Sequence, residues 1–246
     1  MLTTSKWIYE DLDRGLNSFC AMAFDGRFFY FTDTKHIYVY SKNLVPLNCI
    51  NPALKIAAFC YDNNSDCFWA TDGKTGISKL SRRFEKTGLL LDCGAVNGLS
   101  YFCAHDTVLA STGSAVMEIC KHDHKREIHT ATNVLSIASI APYFALLQEN
   151  GGEQLIRFYT ASSLHATLEI PPGYVAADIM FYPPENQIMA LVRSKNKTKI
   201  LRHPMPCMDV CCCNYNFDSS CNEHCKWLLA NTGCDSGWKT SVWDKG

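Results

Sequence analysis

Neither sign of charge is in excess in this sequence. Lys and Arg number 23 against 24 Asp and Glu, a formal net charge of −1 over 246 residues. Basic side chains are also not interleaved with aromatic ones, so the composition gives no electrostatic reason to seek nucleic acid or acidic lipid. Long apolar runs are missing too. The most apolar stretch, residues 134–147, is too short to span a bilayer and is broken by Ser136, Ser139 and Pro142. The opening residues, MLTTSKWIYEDLD, carry acids where an export signal needs an apolar core, so no membrane span is expected and the default compartment is the cytoplasm. No G-x-S-x-G elbow, P-loop or dinucleotide fingerprint occurs. Gly73-Lys74-Thr75 copies the end of a P-loop, but it lacks the leading glycine and falls in a hairpin turn. His36, His105, His122, His124, His129, His165 and His203 are dispersed, with no HExxH or paired spacing.

What the sequence has is apolar content, 47% hydrophobic residues, arranged in a repeat. Residues 57–80, AAFCYDNNSDCFWATDGKTGISKL, show it most plainly. Two apolar, β-prone runs flank a polar cluster at 62–66, a second turn follows at 72–76, and 77–80 alternates as a third strand. Residues 88–91 make a fourth. The first turn recurs at 25–26, 105–106, 141–142, 183–186 and 218–223; the second recurs at 32–35, 111–114, 149–153, 194–197 and 231–237. First strands therefore start near residues 18, 55, 96, 134, 174 and 211, about forty residues apart. Residues 211–217, 226–230 and 238–243 supply only three strands of the sixth copy. Residues 7–10 precede the first strand by the same offset that separates other fourth strands from the next copy, and they are expected to complete that last blade, hiding an open edge.

The pattern resembles the six-bladed β-propellers over essentially the whole chain. It implies a single all-β domain, residues 1–246, of six four-stranded blades around a central channel, the last closed by the N-terminal strand. Five blades followed by a separate cysteine-rich tail is the structural alternative. Trp243-Asp244 is the one Trp-Asp dipeptide, without the rest of a WD repeat, and the glycine signature of kelch repeats is absent.

In a propeller, the loops entering the innermost strands and the second-to-third strand turns gather at one mouth of the channel. Asn17, Asn51, Asn97 and Asn133 are placed there with Asp33, Asp72, Glu149 and Asp235. Turn chemistry accounts for such residues; a ring of oxygen donors for a hard cation or a sugar is the other reading. Asp178 is a carboxylate well inside an innermost strand. Resemblance to the metal-dependent lactonases among six-bladed propellers implies Ca²⁺ or Mg²⁺ there and an activated water, although no Glu stands in the first innermost strand where those enzymes place a ligand. The plainer alternative is a structural Asp that accepts backbone amides.

Fourteen cysteines divide into two groups. Cys20, Cys49, Cys60, Cys67, Cys93, Cys103 and Cys120 are scattered singly and read as small buried hydrophobes in a reducing cytosol. The rest crowd into 207–234. There Cys207-x3-Cys211 and Cys221-x3-Cys225 have the spacing of a four-thiolate Zn²⁺ site, with Cys212, Cys213, Cys234 and His224 as substitutes. Residues four apart on a straight strand are about 13 Å apart, so the first pair needs a turn. Free thiols, or disulfides formed on oxidation, are the competing readings.

Three functions are carried forward. The first is a non-catalytic propeller presenting its loop face to a protein or small-molecule partner. The second is a metal-dependent hydrolase or lactonase using Asp178, and the third is a cysteine-rich structural protein of a spore or envelope.

Overall fold

The computed structural model describes residues 7–12, 19–91, 93–120, 124–160, 163–194 and 197–206. A first strand, β1 (Ile8–Asp11), precedes four consecutive antiparallel sheets. These are β2 (Ala21–Phe24), β3 (Phe29–Thr32), β4 (Ile37–Tyr40) and β5 (Pro46–Ile50); β6 (Ala58–Asp62), β7 (Cys67–Thr71), β8 (Ile77–Leu80) and β9 (Lys86–Leu91); β10 (Gly98–Phe102), β11 (Thr107–Ser111), β12 (Ala115–Cys120) and β13 (Lys125–Thr130); and β14 (Val134–Ile140), β15 (Tyr143–Asn150), β16 (Glu153–Tyr159) and β17 (Leu164–Glu169). The fifth sheet holds β18 (Val175–Tyr182), β19 (Gln187–Ser194) and β20 (Lys197–Pro204), with β1 as its outermost strand.

The turns fold for the local reasons the repeat pattern implied. Asp62 Oδ1 accepts the amides of Asn64 and Ser65 at 3.0 Å each, and Asp72 Oδ1 accepts those of Lys74 and Thr75 at 2.8 Å. One sheet earlier, Asp25 and Asp33 do the same for Arg27 and Phe28 and for Lys35 and His36. A short side-chain acceptor closing its own turn reverses the chain where each apolar run ends.

Sheets pack face to face around the ring, and each neighbouring pair encloses its own apolar cluster. Phe59, Phe68 and Phe84 meet Ala21 and Tyr30 between the first and second sheets; Trp69, Cys60 and Cys67 meet Leu99 and Val108 between the second and third. Phe102 and Leu109 meet Ile137 and Phe144, and Ala138 and Phe158 meet Ile179 and Ala190. The series returns to its start, since Phe19, Phe29 and Phe31 of the first sheet share a cluster with Tyr182, Met189 and Leu191 of the fifth. The innermost strands crowd closely on the axis. A Cβ on Gly98 would lie 2.7 Å from Ser136 Cα and 2.9 Å from Ile137 N, so only glycine lets β10 approach β14 this far.

This is an all-β propeller of four-stranded blades, and among the described residues it has five blades instead of the six expected. The strand near residue 8 exists but has a different partner. It pairs antiparallel with β20, Ile8 opposite Arg202 and Asp11 opposite Lys199, and so takes the fourth place in the fifth sheet. Specific contacts hold it there. Trp7 is buried and its indole N–H donates to Glu169 O of the fourth sheet at 3.1 Å, while Glu10 and Asp11 pair with Arg202 and Lys199 at 2.8 and 3.0 Å. The sequence repeat counted strands correctly up to β20 but had no means of telling which sheet would take the N-terminal strand. The expected sixth blade lies in 207–246, outside the described residues.

Candidate functional site

Asp178 sits on β18 just past an irregularity of register between Ala176 and Asp178, and Ser136 sits just past a similar one on β14 between Val134 and Ser136. A bulge re-aims the side chain that follows it. Here two bulges turn the Asp178 carboxylate and the Ser136 hydroxyl towards each other. Oδ1 accepts from Ser136 Oγ and from the Ile179 amide at 2.9 Å, and Oδ2 accepts the Met22 amide of β2 at 2.7 Å. The carboxyl, 7% exposed, therefore ties β18 to both of its neighbours in the ring, β14 and β2. Burial pushes its pKa up to about 7, against the lowering effect of those three donors. Nearby, the Arg193 guanidinium donates to Phe19 O at 3.0 Å, a second bond across the same seam. Burial and the Asp178 charge push the Cys20 thiol up to about 11.

The other residues expected at this mouth are used locally. Asn97 is exposed and donates its Nδ2 to Val134 O at 2.9 Å, joining the third sheet to the fourth. Asn133, also exposed, occupies a left-handed backbone position (φ 54°) and its carbonyl accepts the Glu149 amide. Asp33 and Asp72 cap their own turns, while Asn51 and Glu149 are exposed. The structure does not gather these side chains into one cluster with Asp178, and among the described residues no three His, Cys, Asp or Glu side chains come together as a metal-ion set. Asn17, Asp235 and the thiols Cys207, Cys211, Cys212, Cys213, Cys221, Cys225 and Cys234 lie outside the described residues. Of the seven scattered cysteines, Cys60, Cys67 and Cys120 are buried as expected and Cys20, Cys93 and Cys103 are half-buried, but Cys49 on the outer strand β5 is exposed, since a fourth strand turns one face to solvent.

The cavity lies at the opposite end of the innermost strands. All five contribute in the same register: Met22–Phe24, Phe59–Tyr61, Leu99–Tyr101, Ile137 with Ser139, and Ile179–Phe181. They line a half-open space of about 140 Å³ at the channel axis. Its lining residues are mostly apolar, with Phe24, Phe59, Phe181, Met22 and Met180 among them, joined by Tyr61, Tyr101, Asn63, Ser100, Ser139, Cys60 and Cys103, and among the described residues no charged one lines it. Charges stand just outside and are paired with one another. Arg82 Nη1 bonds Asp25 at 3.0 Å, its Nε bonds Asp66, and its Nη2 donates to Tyr61 Oη at 2.7 Å. Tyr101 donates to Asp106, which also accepts Asn64 Nδ2 at 3.1 Å. Burial and these acceptors push the Tyr61 and Tyr101 phenols up, so both stay protonated.

A second polar cluster also escaped the sequence. Glu118 on β12 is buried; its Oε1 bonds His105 Nδ1 at 2.7 Å and Thr107 Oγ1 at 2.9 Å, and its Oε2 takes Arg126 at 2.7 Å. Burial alone would raise its pKa, but the hydrogen bonds and charges of His105 and Arg126 bring it below the usual carboxylate value. The cavity residues were readable only as register-matched positions in successive repeats, MAF, FCY, LSY and IMF among them. Apolar residues on an innermost strand otherwise look like ordinary core.

The ring of four-stranded sheets, open along its axis at one end, defines the class as β-propeller, and known structures agree. The chain is similar to Myxococcus xanthus glutaminyl cyclase, with a TM-score of 0.60 and 8% identity over 80% of this chain and 93% of that one. It is similar to Kuenenia stuttgartiensis hydrazine synthase with a TM-score of 0.51 and 9% identity, over 73% of this chain and 58% of that one. A chain of a nidogen/laminin complex gives 0.50 and 13% identity over 61% of this chain and 62% of that one. Identities this low show the fold alone. No protein-family model matches the sequence, and no curated protein matches it significantly.

Proposed function

We propose that this chain is a non-catalytic binding propeller whose ligand is a small molecule held in the axial cavity. One observation supports the reading: all five innermost strands line a single concave, half-open space in equivalent register, about 140 Å³ in volume. Packing a ring of sheets tends to fill its axis with side chains, so retained concave space with apolar walls and a few polar groups is the default place for a ligand. This moves the site from the loop face first expected to the far end of the channel. At the loop end the carboxylate that drew attention, Asp178, already accepts three hydrogen bonds, which suits a structural clasp. The test is ligand-detected NMR with soluble one- and two-ring fragments on the intact chain and on Met180→Trp, which fills the cavity with an indole. Fragments that bind the intact chain and lose their signal in the variant support the reading. A fragment set that binds neither protein, or both alike, overturns it.

A further inference from the structure

Resting on that reading, we infer that the ligand is an uncharged, planar aromatic molecule of one or two rings, carrying a single polar group that bonds the Asn63 side chain. Size sets the scale of the buried part. An apolar cavity of about 150 Å³ holds benzene, so a half-open one of about 140 Å³ takes up one or two rings of a ligand. Shape follows from the walls. The lining is rich in aromatic and methionine residues, Phe24, Phe59, Tyr61, Tyr101, Phe181, Met22 and Met180, the residue types against which a flat π-system gains most.

Charge is excluded by the same walls. A carboxylate or ammonium entering would lose part of its hydration, and among the described residues no opposite charge lines the space to replace it. The outer charges offer no help, since Arg82 already serves Asp25 and Asp66. The thiol of Cys60, buried and close to the Asp62 charge, is pushed well above its ordinary value and stays neutral.

The polar contact is found by elimination among the lining side chains. Ser100 Oγ donates to Ser139 Oγ at 2.9 Å and accepts the Ser139 amide at 2.8 Å, while Ser139 Oγ donates to Tyr101 O. Tyr61 and Tyr101 hydroxyls are bonded to Asp66 and Asp106. Asn63 is half-buried, lines the cavity and has no hydrogen-bond partner for its amide among the described residues. It offers one carbonyl and one NH₂.

The experiment titrates indole and indole-3-carboxylate separately into the intact chain, Asn63→Ala and Met180→Trp, with circular dichroism and melting to show that each variant is folded. Indole is expected to bind the intact chain, and the carboxylate at least about tenfold more weakly, because its charge must be desolvated. Asn63→Ala should weaken indole severalfold, and Met180→Trp should abolish binding. Equal binding of the carboxylate, lost in Met180→Trp, overturns the uncharged class while leaving the cavity as the site. Indole binding unaffected by Asn63→Ala overturns the polar contact. Binding of either probe that survives Met180→Trp overturns the cavity reading itself.

Discussion

The two ends of the innermost strands are built on opposite terms. At the ends where the strands begin, glycine and bulges draw the backbones together, and a buried carboxylate is bonded to three donors from three strands. Where the strands finish, large apolar side chains leave open space and the charges are paired outside it. The residue most conspicuous in the sequence lies at the closed end, and the residues least conspicuous make the open one. A carboxylate inside an apolar strand signals that something unusual holds it, but its bonds here are those of a clasp. Meanwhile a cavity leaves no single-residue signature.

Removing the clasp should have the largest effect. Asp178→Ala leaves the Met22 and Ile179 amides and the Ser136 hydroxyl without their acceptor in a buried place, and it is expected to cost about 3 kcal/mol or more in chemical denaturation. A variant as stable as the parent would mean that the closed end is not closed by this residue.

Next in size is Gly98→Ala. Its methyl would meet the Ser136 and Ile137 backbone, which has no flexible end to yield, so a loss of about 1–3 kcal/mol is expected. Unchanged melting would show that β10 and β14 can separate at low cost, and the contrast in rigidity between the two ends would fail.

A pH series sharpens the comparison further. Burial raises the Asp178 carboxyl from 3.8 to about 7, so between those values the folded state keeps a proton that the unfolded chain has released. Its contribution to stability is therefore full below the unfolded value, is lost as pH rises through the folded value, and is constant above it, falling by at most about 1.4 kcal/mol per pH unit in between. Glu118 acts with the opposite sign: its pKa is lowered in the fold, so its contribution is lost as pH falls through the acid range. Asp178→Asn should flatten the first slope and leave the second. If the slope from acid to neutral pH is the same in parent and variant, the carboxyl is ionised throughout that range.

At the open end, Asn63→Ala should be nearly silent in stability, within about 0.5 kcal/mol, because its half-buried amide has no hydrogen bond to lose among the described residues. A large loss would show that this side chain supports the fold, and the two ends would then differ less than their geometry indicates.

The strand pattern was legible because its causes are local. Asp62 and Asp72 bond amides two and three residues away, and the apolar runs between such turns can only be strands. The expected four strands of each of the first four copies and the first three of the fifth accordingly fall on β2 to β20 with shifts of a few residues at their ends. The candidate site was legible only in part. Asp178 was identified as unusual, and the structure finds it buried and accepting three hydrogen bonds. Glu118 with His105 and Arg126 was not seen, since three residues scattered over a hairpin show no spacing rule. The cavity was not seen because MAF, FCY and LSY read as core wherever they occur.

By itself the sequence determined the all-β class, the four-strand repeat and the turn residues that punctuate it, because each depends on contacts within a few residues. Tertiary structure decided which sheet receives β1, through Trp7 reaching Glu169 and Glu10 reaching Arg202. It also decided that the first sheet meets the fifth, through the bond from the Met22 amide to Asp178 across 156 residues of chain. And it decided where space remains on the axis, because a void belongs to no residue: it is what five innermost strands leave between them once the ring has closed.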